Sequence, residues 1–172
     1  MPTQSDFYLR TRAVPRPFHI VLVEPEIPPN TGNVARLCAA TLCPLHLVGK
    51  LGFRIDEHAV RRAGLDYWHL VDLEQHPSFD DFLERHPASR LRIFSSVATT
   101  CYLDADLRAG DALVFGKEST GLDQALLDRY PADVFGIPTI GAVRSLNLAN
   151  AVSIVLYEAL RCTGVLGRAT PG

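Results

Sequence analysis

FHIVLVEPEIPPNTGNVARLCAATL, residues 18–42, decides how the rest of the chain is read. Its opening, FHIVLVEP, is a β-branched apolar run stopped by Pro25, as a strand buried in a parallel sheet would be. IPPNTG is rich in turn formers and reads as a loop. Asn30 or Thr31 then offers a side-chain oxygen to cap a helix through NVARLCAATL, which Pro44 ends.

Working outward, the same alternation continues. LHLVG reads as a second strand, Asp56–Ala63 as a short helix and Trp68–Val71 as a strand. Ser78 is placed to cap a helix running through Phe82 to Arg85. RLRIFSS and ALVFG are further strands, Asp123–Arg129 a helix, ADVFGIP a last strand, and a final helix runs from about Leu146 to Arg161. Strands alternating with helices predict an α/β domain with a mostly parallel sheet and helices on both faces. Residues 18–162 form that single domain. Residues 1–17 precede it as a flexible arm punctuated by Pro2, Pro15 and Pro17, in which Arg10, Arg12 and Arg16 oppose only Asp6. A frayed terminus is its plainer reading and a nucleic-acid-touching arm the sharper one. Residues 163–172 are a short Gly-containing tail.

The 172 residues suffice for one sizeable core, and 47% hydrophobic with 21% charged residues is ordinary globular chemistry. A net charge of −2 does not advertise nucleic acid, but a local basic patch is what binds it. The densest such cluster is Lys50, Arg54, Arg61 and Arg62, diluted by Asp56 and Glu57. The four cysteines, Cys38, Cys43, Cys101 and Cys162, form no CxxC pair, and no histidine stands at a finger-like distance from them. They read as reduced core thiols, and no ligand cluster for a metal is visible in the spacing. With no stretch long enough for a membrane span and no signal-like apolar core at the start, a soluble cytoplasmic protein is expected.

In open α/β sheets ligands bind beyond the carboxyl ends of the strands, so the post-strand loops are the place to seek chemistry. EPEIPPNTGNVAR gathers Asn30, Asn33 and Arg36 at a helix start, on what the spacing suggests is one side. A cap and a solvated charge are the plain alternative. LVFGKESTGL ends a strand at Gly116 and carries Glu118 and Gly121, and it matches neither a dinucleotide fingerprint nor a P-loop. GIPTIGAVRSLNLANAVSIVLYEALR places Arg144, Ser145 and Asn147 before a helix that is apolar nearly all round. Such a helix must be buried, by its own domain or by a second subunit.

Taken together, Asn30-Thr31-Gly32-Asn33 with Arg36, Leu113–Glu118 with Gly121-Leu122, and Ile137-Pro138 with Ser145–Leu148 resemble the three ordered motifs of the SPOUT RNA 2′-O-methyltransferases. VEPEIPPNTGN and RRAGLDYW are similar in particular to its short members that act on the wobble ribose of tRNA. The resemblance spans about Phe18 to Arg161. It implies a C-terminal deep trefoil knot, a homodimer, and S-adenosylmethionine bent into the knot loops, with no metal. It further implies cofactor contacts at Phe94, Gly116, Ile137, Ser145 and Leu146, and a catalytic set of Asn30, Arg36, Glu118, Ser145 and Asn147. The implied partner is a tRNA anticodon stem-loop, with no DNA and no membrane. The family's proposed base is Arg36, but guanidinium hardly deprotonates in proteins. An electrostatic role fits better: Arg36 stabilises developing alkoxide charge and holds the adjacent phosphate. Ser145 and Asn147 would then orient Arg36 and the cofactor, with Glu118 as a hydrogen-bond acceptor. Methylation of another tRNA or rRNA ribose, and a non-catalytic RNA-binding knot protein, are the rival expectations.

Overall fold

The computed structural model describes residues 9–55, 67–167 and 170–171. The helix expected at Asp56–Ala63 lies outside these residues, as do Arg61 and Arg62 of the basic cluster. Six strands form one parallel sheet: β2 (His19–Val23), β3 (Leu45–Val48), β4 (Leu73–His76), β5 (Leu91–Phe94), β6 (Ala112–Phe115) and β7 (Val134–Phe135), in the order β4-β3-β2-β6-β5-β7. Ile20 stands level with Leu45 on one side and Leu113 on the other, so β2 and its neighbours present their apolar residues in step. A separate antiparallel pair joins β1 (Leu9–Arg10) to β8 (Thr170–Pro171).

Side chains alternate across the sheet, and each face has its own core. On one face Ile20, Leu22, Leu45, Leu47, Leu113 and Phe115 pack under α1 (Pro28–Thr41) and α4 (Leu148–Cys162). On the other, Val21, Val48, Ile93, Ala112 and Val114 pack under α2 (Phe79–Arg85) and α3 (Gln124–Arg129), chiefly through Phe82 and Leu127. The expected arrangement, a parallel sheet with helices on both faces, is the one observed. None of the described helices is long and apolar enough to cross a membrane.

Three local readings change. The first helix begins earlier than expected: Pro28 and Pro29 occupy its first positions and Ile27 is the N-cap, without a side-chain bond. Proline has φ already set for a helical first turn and no N–H to leave unsatisfied there, so the apparent loop IPP is helix. Trp68–Leu70 is a 3₁₀ turn, and the edge strand is the more polar LEQH that follows. An edge strand buries less, so its sequence need not carry the β-branched and aromatic signature of a core strand. The last helix starts at Leu148, two residues later than expected, with Asn147 as its N-cap accepting from the amides of Ala149 and Asn150. By contrast, Ser78 caps α2 as expected, accepting from the amide of Asp81.

From β2 the chain moves outward to β3 and β4, then returns to lay β6, β5 and β7 on the other side of β2. The loops following β2 and β6 therefore meet at the switch in strand order, where a crevice opens in such sheets.

Candidate active site

At the carboxyl ends of β5, β6 and β7 lies a cleft of about 500 Å³, within the ~300–1,000 Å³ common for small-molecule sites. Phe94, Gly116, Ile137, Ser145 and Leu146, the positions expected at a cofactor, all line it. Asn30, Glu118 and Asn147 line it as well. Phe94, Phe115, Ile137, Leu146, Leu148 and Ala151 give it apolar wall, while Ser95, Ser96 and Ser119 add hydroxyls.

Glu118 holds the cleft's rim together. Its carboxylate accepts hydrogen bonds from the amides of Glu26 (2.8 Å) and Ile27 (3.2 Å) and from Asn30 Nδ2 (3.0 Å). Because α1 starts at Pro28, the first two are N–H groups at the helix entrance with no partner within the helix, where a negative charge is favoured. Asn30 is buried and turns its other end to Asn147, whose Nδ2 donates to Asn30 Oδ1 at 2.9 Å. A chain of hydrogen bonds Glu118–Asn30–Asn147 thus ties together three loops far apart in sequence. The expectation that Asn30 is a helix cap gives way to this bridging role.

Glu24 and Glu26 brace the same loop from the β2 side. Glu24 leaves the strand with φ of 50°, a left-handed conformation unusual for a residue with a side chain. It is kept there by its amide bond to the Val48 carbonyl and by its carboxylate, which pairs with Lys117 Nζ at 2.9 Å. That pairing raises the Lys117 pKa. Glu26 takes hydrogen bonds from the hydroxyl and amide of Ser119, which lower its own pKa.

Gly116 lets the loop that follows β6 fold back on itself. A Cβ there would sit 2.3 Å from the Gly121 carbonyl carbon and 2.4 Å from the Leu122 nitrogen. Its bare Cα lets the loop close on itself, sealed by the Gly121 amide donating to the Lys117 carbonyl at 2.9 Å. Gly121 takes φ of 72°, which glycine adopts freely.

Arg36 is the one proposed site residue outside the cleft lining. Six residues along an α-helix is a rotation of about 600°, so Arg36 lies roughly 120° around α1 from Asn30 rather than on its side. It is exposed, with its guanidinium 5.5 Å from the centre of the Tyr67 ring, and the Tyr67 hydroxyl donates to the Gly32 carbonyl at 2.9 Å. Tyr67 was not singled out from sequence. Lys50 and Arg54 are both exposed.

The match to known proteins is broad. Residues 17–157 match the SpoU rRNA Methylase family. The chain belongs to that family. It is 44% identical over 151 residues to the tRNA (cytidine(34)-2′-O)-methyltransferase of Saccharophagus degradans, covering 87% of this chain and 98% of that one. Among solved structures it superposes with a TM-score of 0.78 at 49% identity on a protein studied for 2-OH methylation of C/U34 on tRNA, over 84% of this chain and 94% of the other. A SpoU methyltransferase from Streptomyces viridochromogenes, solved in complex with AdoMet, matches with a TM-score of 0.71 at 25% identity over 87% of this chain and 59% of that one. This family protein is therefore an α/β methyltransferase whose three motif loops meet at one cleft.

One cluster escaped the sequence reading. His46, Glu74, His76 and His86 converge beneath α2, although their spacing along the chain resembles no metal motif. The available signal was the alternation Glu74-x-His76, which sets two donors on one side of a strand.

Proposed function

We propose that this protein methylates the ribose 2′-OH of nucleotide 34, a cytidine or uridine, in tRNA, with S-adenosylmethionine as the methyl donor. One observation carries the reading. A chain 44% identical to a tRNA (cytidine(34)-2′-O)-methyltransferase over nearly all its length joins Asn30, Glu118 and Asn147 at the rim of a cleft of suitable size.

The cleft fits the cofactor's chemistry. Its apolar wall suits a purine ring, its hydroxyls suit a ribose, and its volume suits a folded nucleoside. When bound, S-adenosylmethionine supplies an electrophilic methyl on a sulfonium, which leaves as the neutral thioether S-adenosylhomocysteine. The residues Phe94, Gly116, Ile137, Ser145 and Leu146 hold it, and the hydrogen-bonded rim keeps their loops in one arrangement, so that orientation is set before the substrate arrives. Arg36 acts on the RNA. It clamps a phosphate and steadies the charge growing on the ribose oxygen, while the hydroxyl proton passes to water or a phosphate oxygen. Its exposure and its place on α1, away from the cofactor wall, support that division of labour. No metal enters this reaction.

The finer features of the family complete the proposal: a C-terminal trefoil knot, a cytoplasmic homodimer, and RNA rather than DNA or membrane as partner. Support for the dimer comes from apolar side chains left uncovered. Ile154 and Tyr157 on α4 are exposed, as are Ile140, Val143 and Leu146 in the loop before it.

The deciding experiment is single-turnover methylation of an anticodon stem-loop, with ribose-methylation mapping of total RNA from a strain lacking the gene. Loss of methylation at nucleotide 34 alone is expected. Loss at a ribosomal ribose instead would reassign the target, and no loss anywhere would remove the enzymatic reading.

A further inference from the structure

The sheet face under α2 holds an unusual concentration of imidazoles. His46 lies on β3, level with Glu74 on the neighbouring edge strand β4, and His76 follows Glu74 on the same side of that strand. His86 closes the group from the residue that ends α2. His46 and His76 are fully buried, while the side chains of Glu74 and His86 are 27% and 14% exposed. Phe82, itself buried, lies with its ring centre 5.1–5.4 Å from those of His46, His76 and His86 and covers them with apolar surface.

Four donor atoms converge on one point. His86 Nε2 is 3.1 Å from Glu74 Oε2, and His76 Nε2 and His46 Nδ1 are 3.8 and 3.9 Å from that same oxygen. His46 Nδ1 and His76 Nε2 stand 3.0 Å apart, and all four atoms lie within 4.8 Å of one another. A tetrahedral ion with bonds of ~2.0–2.1 Å to nitrogen and oxygen places its ligands ~3.3–3.4 Å apart. The observed separations straddle that value, so shifts of up to about an ångström would seat an ion.

We propose that His46, Glu74, His76 and His86 form a structural site for one divalent transition ion of the zinc class, oriented by His19. Three neutral imidazoles and one carboxylate are a donor set such ions accept, and four protein ligands leave no open position for chemistry. His19 Nδ1 lies 2.9 Å from His46 Nε2. An N–H on His46 Nε2 donating to His19 leaves the Nδ1 lone pair facing the other ligands, the usual tautomer control for a ligating histidine.

The site would fasten the edge strand β4 and the end of α2 to β3. It lies on the face opposite α1 and α4, and none of its residues lines the methyl-transfer cleft.

The test uses untagged full-length protein stripped with a chelator, dialysed, and titrated with Co²⁺ and then Zn²⁺. Expected are one ion per chain, the intense visible bands of tetrahedral Co²⁺ without a thiolate-to-metal charge-transfer band, displacement by Zn²⁺, and a raised melting temperature. Glu74→Gln and His86→Asn, both at partly exposed positions, should weaken Co²⁺ binding by on the order of 10²-fold or more, and His19→Asn by about 10–100-fold. Circular dichroism of the metal-free variants checks that they fold. Methyl transfer by the stripped protein should match the loaded one at temperatures where both are folded. Failure to bind a stoichiometric ion, the faint spectrum of octahedral Co²⁺, thiolate bands pointing to the cysteines, or parent-like affinity in folded Glu74→Gln would each overturn the site and leave a hydrogen-bonded stack of imidazoles.

Discussion

Replacing Gly116 with alanine adds one methyl group where the cleft loop folds back on the Gly121–Leu122 backbone. The new Cβ would lie 2.3 Å from the Gly121 carbonyl carbon, whereas ordinary contact begins near 3.4 Å, so the loop must open by about 1 Å. Opening strains or breaks the Gly121-to-Lys117 hydrogen bond, a net loss of about 0.5–1.5 kcal/mol. Forcing a methyl into close-packed surroundings adds about 1–3 kcal/mol. The closed loop is then roughly 2–4 kcal/mol less favourable. If S-adenosylmethionine binds only the closed loop, its apparent affinity falls by the same factor as the closed population, about 30- to 10³-fold. Calorimetric titration with S-adenosylmethionine measures this directly, with circular dichroism to verify folding. Gly141→Ala is the control, because a Cβ there meets nothing within 4 Å, and it should bind like the parent. Folded Gly116→Ala with an affinity within about threefold of the parent would refute the argument that loop closure shapes the pocket.

Three further predictions concern other parts of the machinery. Arg36→Ala should slow single-turnover methylation by on the order of 10²–10³, with Arg36→Lys recovering only part of it and both binding cofactor normally; near-parent turnover in Arg36→Ala would return the residue to a solvated charge. Asn147→Asp keeps the acceptor that caps α4 but sets an oxygen against Asn30 Oδ1, so cofactor affinity and turnover should drop while the melting temperature holds better than in Asn147→Ala, which also loses a cap worth about 1 kcal/mol. Sedimentation at micromolar concentration should give twice the chain mass for the parent and a monomer for Ile154→Arg; a monomeric parent that still methylates RNA would exclude the dimer.

The alternation of strand and helix was legible because strands buried on both faces, such as HIVLV and ALVF, are unbroken apolar runs. The edge strand was misplaced because LEQH, half exposed, has no such run, while WHLV beside it is aromatic and mostly apolar. The three motif loops could be found in sequence, and their convergence on one cleft follows from strand order. What sequence could not show was direction. The IPP segment hid the true start of α1, so Asn30 looked like a cap when its side chain bridges two other loops, and Arg36 looked like its neighbour when it faces Tyr67. The histidine cluster was invisible for a related reason: its members become neighbours only through strand register and a helix end.

The pairing of α1 with α4 also has a consequence for biosynthesis. Val34, Ala35 and Cys38 of the first helix find their cover in a helix that begins at Leu148, and the link between Asn30 and Asn147 spans 117 positions. As the chain leaves the ribosome, the first half of the sheet emerges with that greasy flank bare. It cannot be sealed until the last helix has been made. Contacts of such long range are slow to form, and partly made sheets with uncovered faces are prone to stick to one another. Newly made chains of this protein should therefore engage holding chaperones until synthesis passes Cys162, and truncation before Leu148 should yield insoluble material rather than a smaller folded core.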